Sequence, residues 1–168
     1  MSCGTARIDV LVRITGRLDI RGREARRLKR SLSKMMRKLA PGKNFELSIA
    51  FLGEEEIRRL NREYRSVDED TDVISFPQMS HDEIANSCGG GMGQPAPLGD
   101  IGIGVDVARR QAAERGHPAF EEIELLAAHG LLHLFGYDHG NLEGSRAMAA
   151  AERMLVGKSM IEHFEREN

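Results

Sequence analysis

The sequence predicts a single α+β domain, a mixed sheet of about four strands packed with about five helices. Three observations predict it. Through the first half of the chain, apolar residues recur alternately at two-residue and at three-to-four-residue spacing, in the order β-α-β-α-β. The second half adds one strand and is otherwise helical. Nothing in residues 1–168 reads as a linker or an internal repeat, and a chain of that length buries a core without metal or disulfide staples.

The elements follow in order. RIDVLVRI (7–14) alternates and is rich in β-branched residues, which predicts a strand. Residues 22–39 place Ala25, Leu28, Leu32, Met35 and Leu39 on one helical stripe, with Arg and Lys over most of the remaining surface. Pro41-Gly42 stops that helix. FELSIAFL (45–52) is a second strand, broken by Gly53. EEEIRRLNREY (54–64) is a helix with its acids in the first turn, where the macrodipole favours them. DVISF (72–76) is a third strand, ended by Pro77. Residues 78–97 contain SCGGGMGQPAP, and their Gly and Pro content predicts a mobile loop without regular structure. GDIGIGVD (99–106) is a fourth strand and 106–115 a helix. Pro118 suits a first helical position, and the helix it opens runs to Gly136 with Glu121 and Glu122 in its first turn; His117 stands where it can cap it. A last helix begins near Leu142 and carries Met148, Met154, Leu155 and Ile161.

Composition excludes several classes. Hydrophobic content of 40% with 30% charge describes a globular chain, not a disordered one. MSCGTARIDVLVRI lacks a basic segment leading into an apolar one, so no secretion signal is expected. The most apolar run, 125–137, is interrupted by two histidines and is too short to span a bilayer. Cys3 and Cys88 have no metal-ligand spacing and read as reduced cytosolic thiols. The net charge of −2 hides a strong asymmetry. Residues 1–43 hold 13 of the 24 Lys and Arg against Asp9, Asp19 and Glu24, about +10, which leaves about −12 for the rest. Such a segment is either a polyanion-facing surface or a solvated helix face.

The most informative stretch is HGLLHLFGYDH (129–139). His129 and His133, four apart on a helix, share a face and can reach one ion. Gly136 tolerates the left-handed conformation that ends a helix, so the chain can turn back and bring His139 to a third position. This is a three-histidine metal site at a helix end and its following turn. It has the ligand spacing of zinc proteases of the metzincin type, without their glutamate. Three imidazoles and an open fourth position describe catalytic zinc, one per chain. Gly130 stands where a protease carries its general base, which argues against peptide hydrolysis. Zinc by itself draws the pKa of coordinated water toward about 7. Asp138 either serves the site, orienting an imidazole or handling a proton, or bonds its own backbone in the turn. Upstream, Arg58, Arg59, Arg62 and Arg65 offer guanidinium groups suited to phosphate, and spacing does not choose among them.

HGLLHLFGYDH, preceded by LNREYRSVDEDTDVISFP (60–77) and LGDIGIG, closely resembles the YbeY family of bacterial metal-dependent endoribonucleases, the rRNA maturation factors. The likeness runs over roughly residues 45–160. The family motif, H-G-x-L-H-L-x-G-Y-D-H, is matched at every fixed letter. The resemblance implies one zinc ion on His129, His133 and His139, and an arginine that falls on Arg65 acting in the reaction. It implies processing of ribosomal RNA, notably the 3′ end of the small-subunit RNA, ribosome quality control, and a sheet of about four strands with several helices. The chain departs from many members just before the motif, where they carry a further histidine and it reads ELLAAHG; its 78–97 stretch is also longer and richer in glycine.

The expected protein is thus a cytoplasmic endoribonuclease for single-stranded RNA. Its expected partners are ribosomal RNA and small-subunit components, with no membrane. RNA would lie along the basic segment 21–43, and Arg65 would meet charge developing on phosphorus. Residue chemistry leaves two other readings open: an assembly factor whose zinc is structural, or a zinc hydrolase of another substrate.

Overall fold

The computed structural model describes residues 12–16, 22–87, 94–138 and 140–156, the first of these by backbone alone. Ten elements follow one another: β1 (Val12–Gly16), α1 (Gly22–Leu39), β2 (Phe45–Leu52), α2 (Glu54–Arg65), β3 (Val73–Pro77), α3 (His81–Asn86), β4 (Ala96–Gly104), α4 (Val105–Arg115), α5 (Ala119–Leu134) and α6 (Leu142–Val156). The sheet order is β1-β2-β4-β3. β1, β2 and β4 run parallel, and β3 lies antiparallel to β4 at one edge.

The α+β class and the mixed four-stranded sheet are as the sequence predicts. Residues 7–11 of the expected first strand lie outside the described residues, as do Cys3, Cys88 and Ile161. The 78–97 stretch requires correction. It holds a sixth helix, α3, nucleated by a reciprocal cap in which Ser80 Oγ accepts from the Glu83 amide and Glu83 accepts from the Ser80 amide. Ile84 buries its apolar side, and Lys43 Nζ donates to the carbonyls of Ile84 and Ala85 at its C-terminal end. The glycines and prolines on either side masked this short signal. β4 also begins three residues before the expected 99, at Ala96.

Alternation on the strands builds two cores of unequal size. Phe45, Leu47, Ile49 and Phe51 of β2 and Ile101 and Ile103 of β4 face the larger one, covered by α1, α5 and α6. Leu52 and Ile74 face the smaller one, closed by Ile57 of α2. Gly102 and Gly104 lie on the α2 side. A Cβ on Gly104 would stand 2.8 Å from the Thr71 carbonyl, so the alternate glycines let α2 and the chain before β3 come close to the sheet.

α5 is the central helix and is apolar almost all round. At Gly130 it touches the sheet. Ser75 Oγ of β3 donates to the Gly130 carbonyl at 3.1 Å, and a Cβ there would stand 2.9 Å from Ile101 Cγ2 and 3.0 Å from Ser75 Oγ. Two buried acids tie α5 to its neighbours. Glu124 accepts from Arg27 Nη2 at 2.6 Å and Ser31 Oγ at 2.7 Å, fastening α1. Glu122, with 0% of its surface exposed, meets Arg115 Nη1 at 2.6 Å and His117 Nε2 at 2.9 Å, fastening the end of α4. Pro118 is the N-cap and not the first helical residue, and His117 reaches forward to a first-turn side chain.

Two outcomes follow. Gly130→Ala gains helix propensity of about 1 kcal/mol but forces a methyl group against Ile101, so it should lower stability by roughly 1–2 kcal/mol in urea unfolding. Gly130→Glu should fail to fold. Desolvation raises the pKa of Glu122 above the usual glutamate range, against the pull of Arg115 and His117. The folded state then holds a proton that the unfolded state has released. The contribution of this group to stability is therefore complete below the ordinary glutamate pKa and is lost as pH rises through the raised one. Arg115→Met should deepen that loss, costing about 3 kcal/mol at pH 7, and Glu122→Gln should flatten the pH dependence of the melting temperature over that window.

Candidate metal centre

The turn after α5 closes as Gly136 requires. Gly136 sits at φ +87°, and the Tyr137 amide donates to the Leu132 carbonyl at 3.1 Å, six residues back counted inclusively. That bond caps the helix with a left-handed glycine and draws Tyr137 against the core. The chain beyond it therefore reverses next to the last turn of α5.

His129 and His133 lie on one face of α5, both half-buried. Their Nε2 atoms stand 3.1 Å apart, with the rings inclined at 77°. Two nitrogens bound at about 2.0–2.1 Å to a tetrahedral ion stand roughly 3.3 Å apart, so the pair is already near the spacing a shared ion needs. The other nitrogen of His129, Nδ1, lies 2.6 Å from Glu152 Oε1 on α6. A carboxylate there takes the Nδ1 proton, fixes the tautomer and leaves the Nε2 lone pair aimed at the common point. The donor set fits a zinc ion for these two ligands. His139 lies outside the described residues, and among the described residues no third acid, cysteine or histidine completes a cluster.

Glu152 escaped the sequence reading. It lies 23 residues from His129 on another helix, and no spacing rule links them. The available signal was chemical, since a ligating imidazole hands its second nitrogen to a carboxylate. Asp138, next to the ligand motif, was the obvious candidate. It is exposed after the turn, with its carbonyl 2.5 Å from where a Cβ on Gly144 would lie. The carboxylate on His129 Nδ1 is Glu152.

The structure also separates the four arginines of α2. Arg58 Nε and Arg62 Nη1 both reach Asp68, at 2.9 and 3.3 Å. Asp68 raises the Arg58 pKa, and the Asp68 carboxyl is itself lowered, first by its hydrogen bond from Arg58. Arg65 ends the helix, is exposed, and makes no ion pair among the described residues. Ser66, at φ 58°, turns the chain away directly after it. Tyr64, the preceding residue, packs on Phe76 of β3, while Ser75 of the same strand holds Gly130 beside His129. The helices that carry Arg65 and the histidine pair therefore contact neighbouring residues of the same edge strand.

The basic helix α1 packs on α5 and reaches α6. Arg26, Arg30, Lys34 and Arg37 form an exposed stripe along α1, whereas Arg27 is spent on Glu124 and stacks over Phe120 at 4.8 Å. Lys38 Nζ donates to the Met154 carbonyl at 2.8 Å, two residues from Glu152. No helix among the described residues is long and apolar enough to cross a membrane.

Comparison with known proteins identifies the family. The family model of endoribonuclease YbeY matches residues 16–159. A relative from Staphylococcus carnosus, named endoribonuclease YbeY, is 43% identical over 111 residues, covering 66% of this chain and 70% of that one. One from Geobacillus kaustophilus with the same name is 42% identical over 114 residues, covering 67% and 72%. In Myxococcus xanthus the likeness is 43% over 113 residues, but the matched part is only 36% of that longer protein. The solution structure of TM1509 from Thermotoga maritima shares the fold, with a TM-score of 0.59 at 24% identity over 92% of this chain and 91% of that one. Matched over most of its length by the family model and by relatives of this identity, the chain belongs to the YbeY endoribonuclease family.

Proposed function

We propose that this chain is a zinc-dependent endoribonuclease specific for single-stranded RNA. In this reading it matures ribosomal RNA at the 3′ end of the small-subunit RNA, works with small-subunit components in the cytoplasm, and takes part in ribosome quality control. The observation that carries the zinc site is the convergence of the His129 and His133 Nε2 atoms, with Glu152 on the outer nitrogen of His129. His129, His133 and His139 would hold one zinc ion. Bound there, it supplies Lewis acidity toward a phosphoryl oxygen and a nucleophile at neutral pH.

The chain's own groups do the rest. Glu152 keeps the His129 ring in one tautomer and one orientation. Arg65 offers a planar, permanently charged donor to the oxygens on phosphorus as their charge grows. Asp138, beside His139 in the chain, would take or return a proton. The α1 stripe holds the phosphate backbone without reading sequence. Gly130 bars peptide hydrolysis, because the base that a zinc protease needs has no room against Ile101.

Zinc should bind at one per chain, and His133→Ala should lose it. Glu152→Ala should weaken zinc about 10–100-fold in a chelator competition. Unchanged affinity would remove Glu152 from the site. Cleavage of a short single-stranded RNA should stop with chelator and return with zinc. Arg65→Ala should lower the single-turnover rate on the order of 10²–10³ while leaving binding nearly intact, and Arg65→Lys should not restore it. A charge reversal at Arg26 and Arg30 should do the opposite, weakening binding and flattening its salt dependence. Normal cleavage by Arg65→Ala at saturating enzyme would refute its role.

A further inference from the structure

The sheet face opposite α5 is only partly covered. α2 closes one end of it over Leu52, Ile57 and Ile74. Toward the other end the floor is made of small residues, Ser48 and Ala50 on β2 and Gly102 on β4, and a cavity of about 280 Å³ opens there. Leu60 and Phe76 form its apolar walls. Its polar edge is the Ser48 hydroxyl and the Asp100 carboxylate, the latter held by Gln78 Nε2 at 2.6 Å. Phe76 is lined in turn by Tyr64, edge to face at 4.8 Å between centroids, and Tyr64 remains 63% exposed. The next residue is Arg65, whose guanidinium has no acidic partner among the described residues.

The place of this cavity in the fold gives it meaning. Side chains on a strand alternate between faces. Ser75 of β3 reaches Gly130 beside His129, and the next residue, Phe76, lines the cavity. β3 is the edge strand and ends in Pro77, which has no amide to pair with a further strand. A polymer passing around this edge would meet α5, which carries the histidines, on one side and the cavity on the other, with Arg65 one residue past Tyr64 on the cavity side.

We propose that this cavity is a subsite for one unstacked base of single-stranded RNA, next to the phosphate that meets the histidines; the proposal rests on the endoribonuclease reading. Three features favour a base over a protein segment. The volume falls just below the roughly 300–1,000 Å³ of pockets for drug-sized ligands, which suits a single heterocycle. A docking helix would need a longer groove with several anchors along it. An exposed tyrosine against a half-buried phenylalanine, next to an arginine, is the kind of surface on which splayed RNA bases stack, and an acceptor-only carboxylate at the edge suits a base that presents an amino group.

The test uses the full zinc-loaded chain and a short single-stranded RNA carrying 2-aminopurine at successive positions. One position should be quenched on binding. Ala50→Met, which fills the floor, and Tyr64→Ala, which removes the exposed ring, should abolish that quench and weaken binding on the order of ten-fold. Tyr64→Phe should keep both. Tyr64 is exposed enough for its variants to stay folded, and they test stacking; if Ala50→Met does not fold, Ser48→Met at the half-buried polar edge takes its place as the cavity-filling variant. If Tyr64→Ala and a folded Ala50→Met bind and quench like the parent, the subsite is wrong while the nuclease stands. If the parent chain neither binds nor cleaves RNA, both fall together. If only Ala50→Met is silent, the base stacks on Tyr64 outside the cavity and the proposed pocket is refuted.

Discussion

The approach of α5 to the sheet at Gly130 governs the rest of the architecture. With no side chain there, the helix backbone comes close enough for Ser75 to bond the Gly130 carbonyl and for Ile101 to fill the space a Cβ would take. That contact sets the rotation of the helix about its axis. One residue on a helix turns by about 100°, so a glycine facing the sheet puts His129 toward the side, and His133 follows one turn later on the same face. The position at which a zinc protease carries its base is used here for packing. The absence of that glutamate and the placement of the histidines have one steric cause.

The second theme is the division of charge. Buried carboxylates need partners, and each of the two on α5 engages a cation from a neighbouring helix: Glu124 takes Arg27 and Glu122 takes Arg115. Asp68 takes Arg58 and Arg62 at the surface. What these pairings leave uncommitted is ordered in space. Arg65 ends α2 at the edge strand, and the exposed stripe of α1 lies beyond α6, whose Glu152 holds His129. A formal net charge of −2 thus coexists with an exposed cationic stripe along α1.

α6 connects these parts. Met148, Ala151 and Leu155 bury its apolar side, while Met154 is 49% exposed. The burial of the first three rotates Glu152 toward His129. The orientation of an imidazole on α5 therefore depends on apolar contacts two helices away from the sheet, which ties the rigidity of the site to the larger core.

Much of this was legible in the sequence because it is local. The periods of 22–39 and 45–52, the Gly136 turn, and the shared face of His129 and His133 follow from backbone geometry over a few residues. The motif residues from 129 to 139 carried the family likeness for the same reason. α3 was local too, in its Ser80–Glu83 cap, but Gly and Pro nearby outweighed a six-residue signal. The tertiary structure alone decided the rest. It chose Glu152 to face His129, set Asp68 against two of four equivalent arginines, paired Glu122 and Glu124 across helices, and opened the cavity between β2, β4 and α2. Glu124 and Arg27 stand 97 positions apart and Glu152 and His129 stand 23 apart, while the nearer partners of Asp68 and Glu122 lie across a turn whose path the fold sets. Which of several chemically equal side chains meets its partner is settled by how helices rotate to bury their apolar faces, and that rotation is a property of the assembled core.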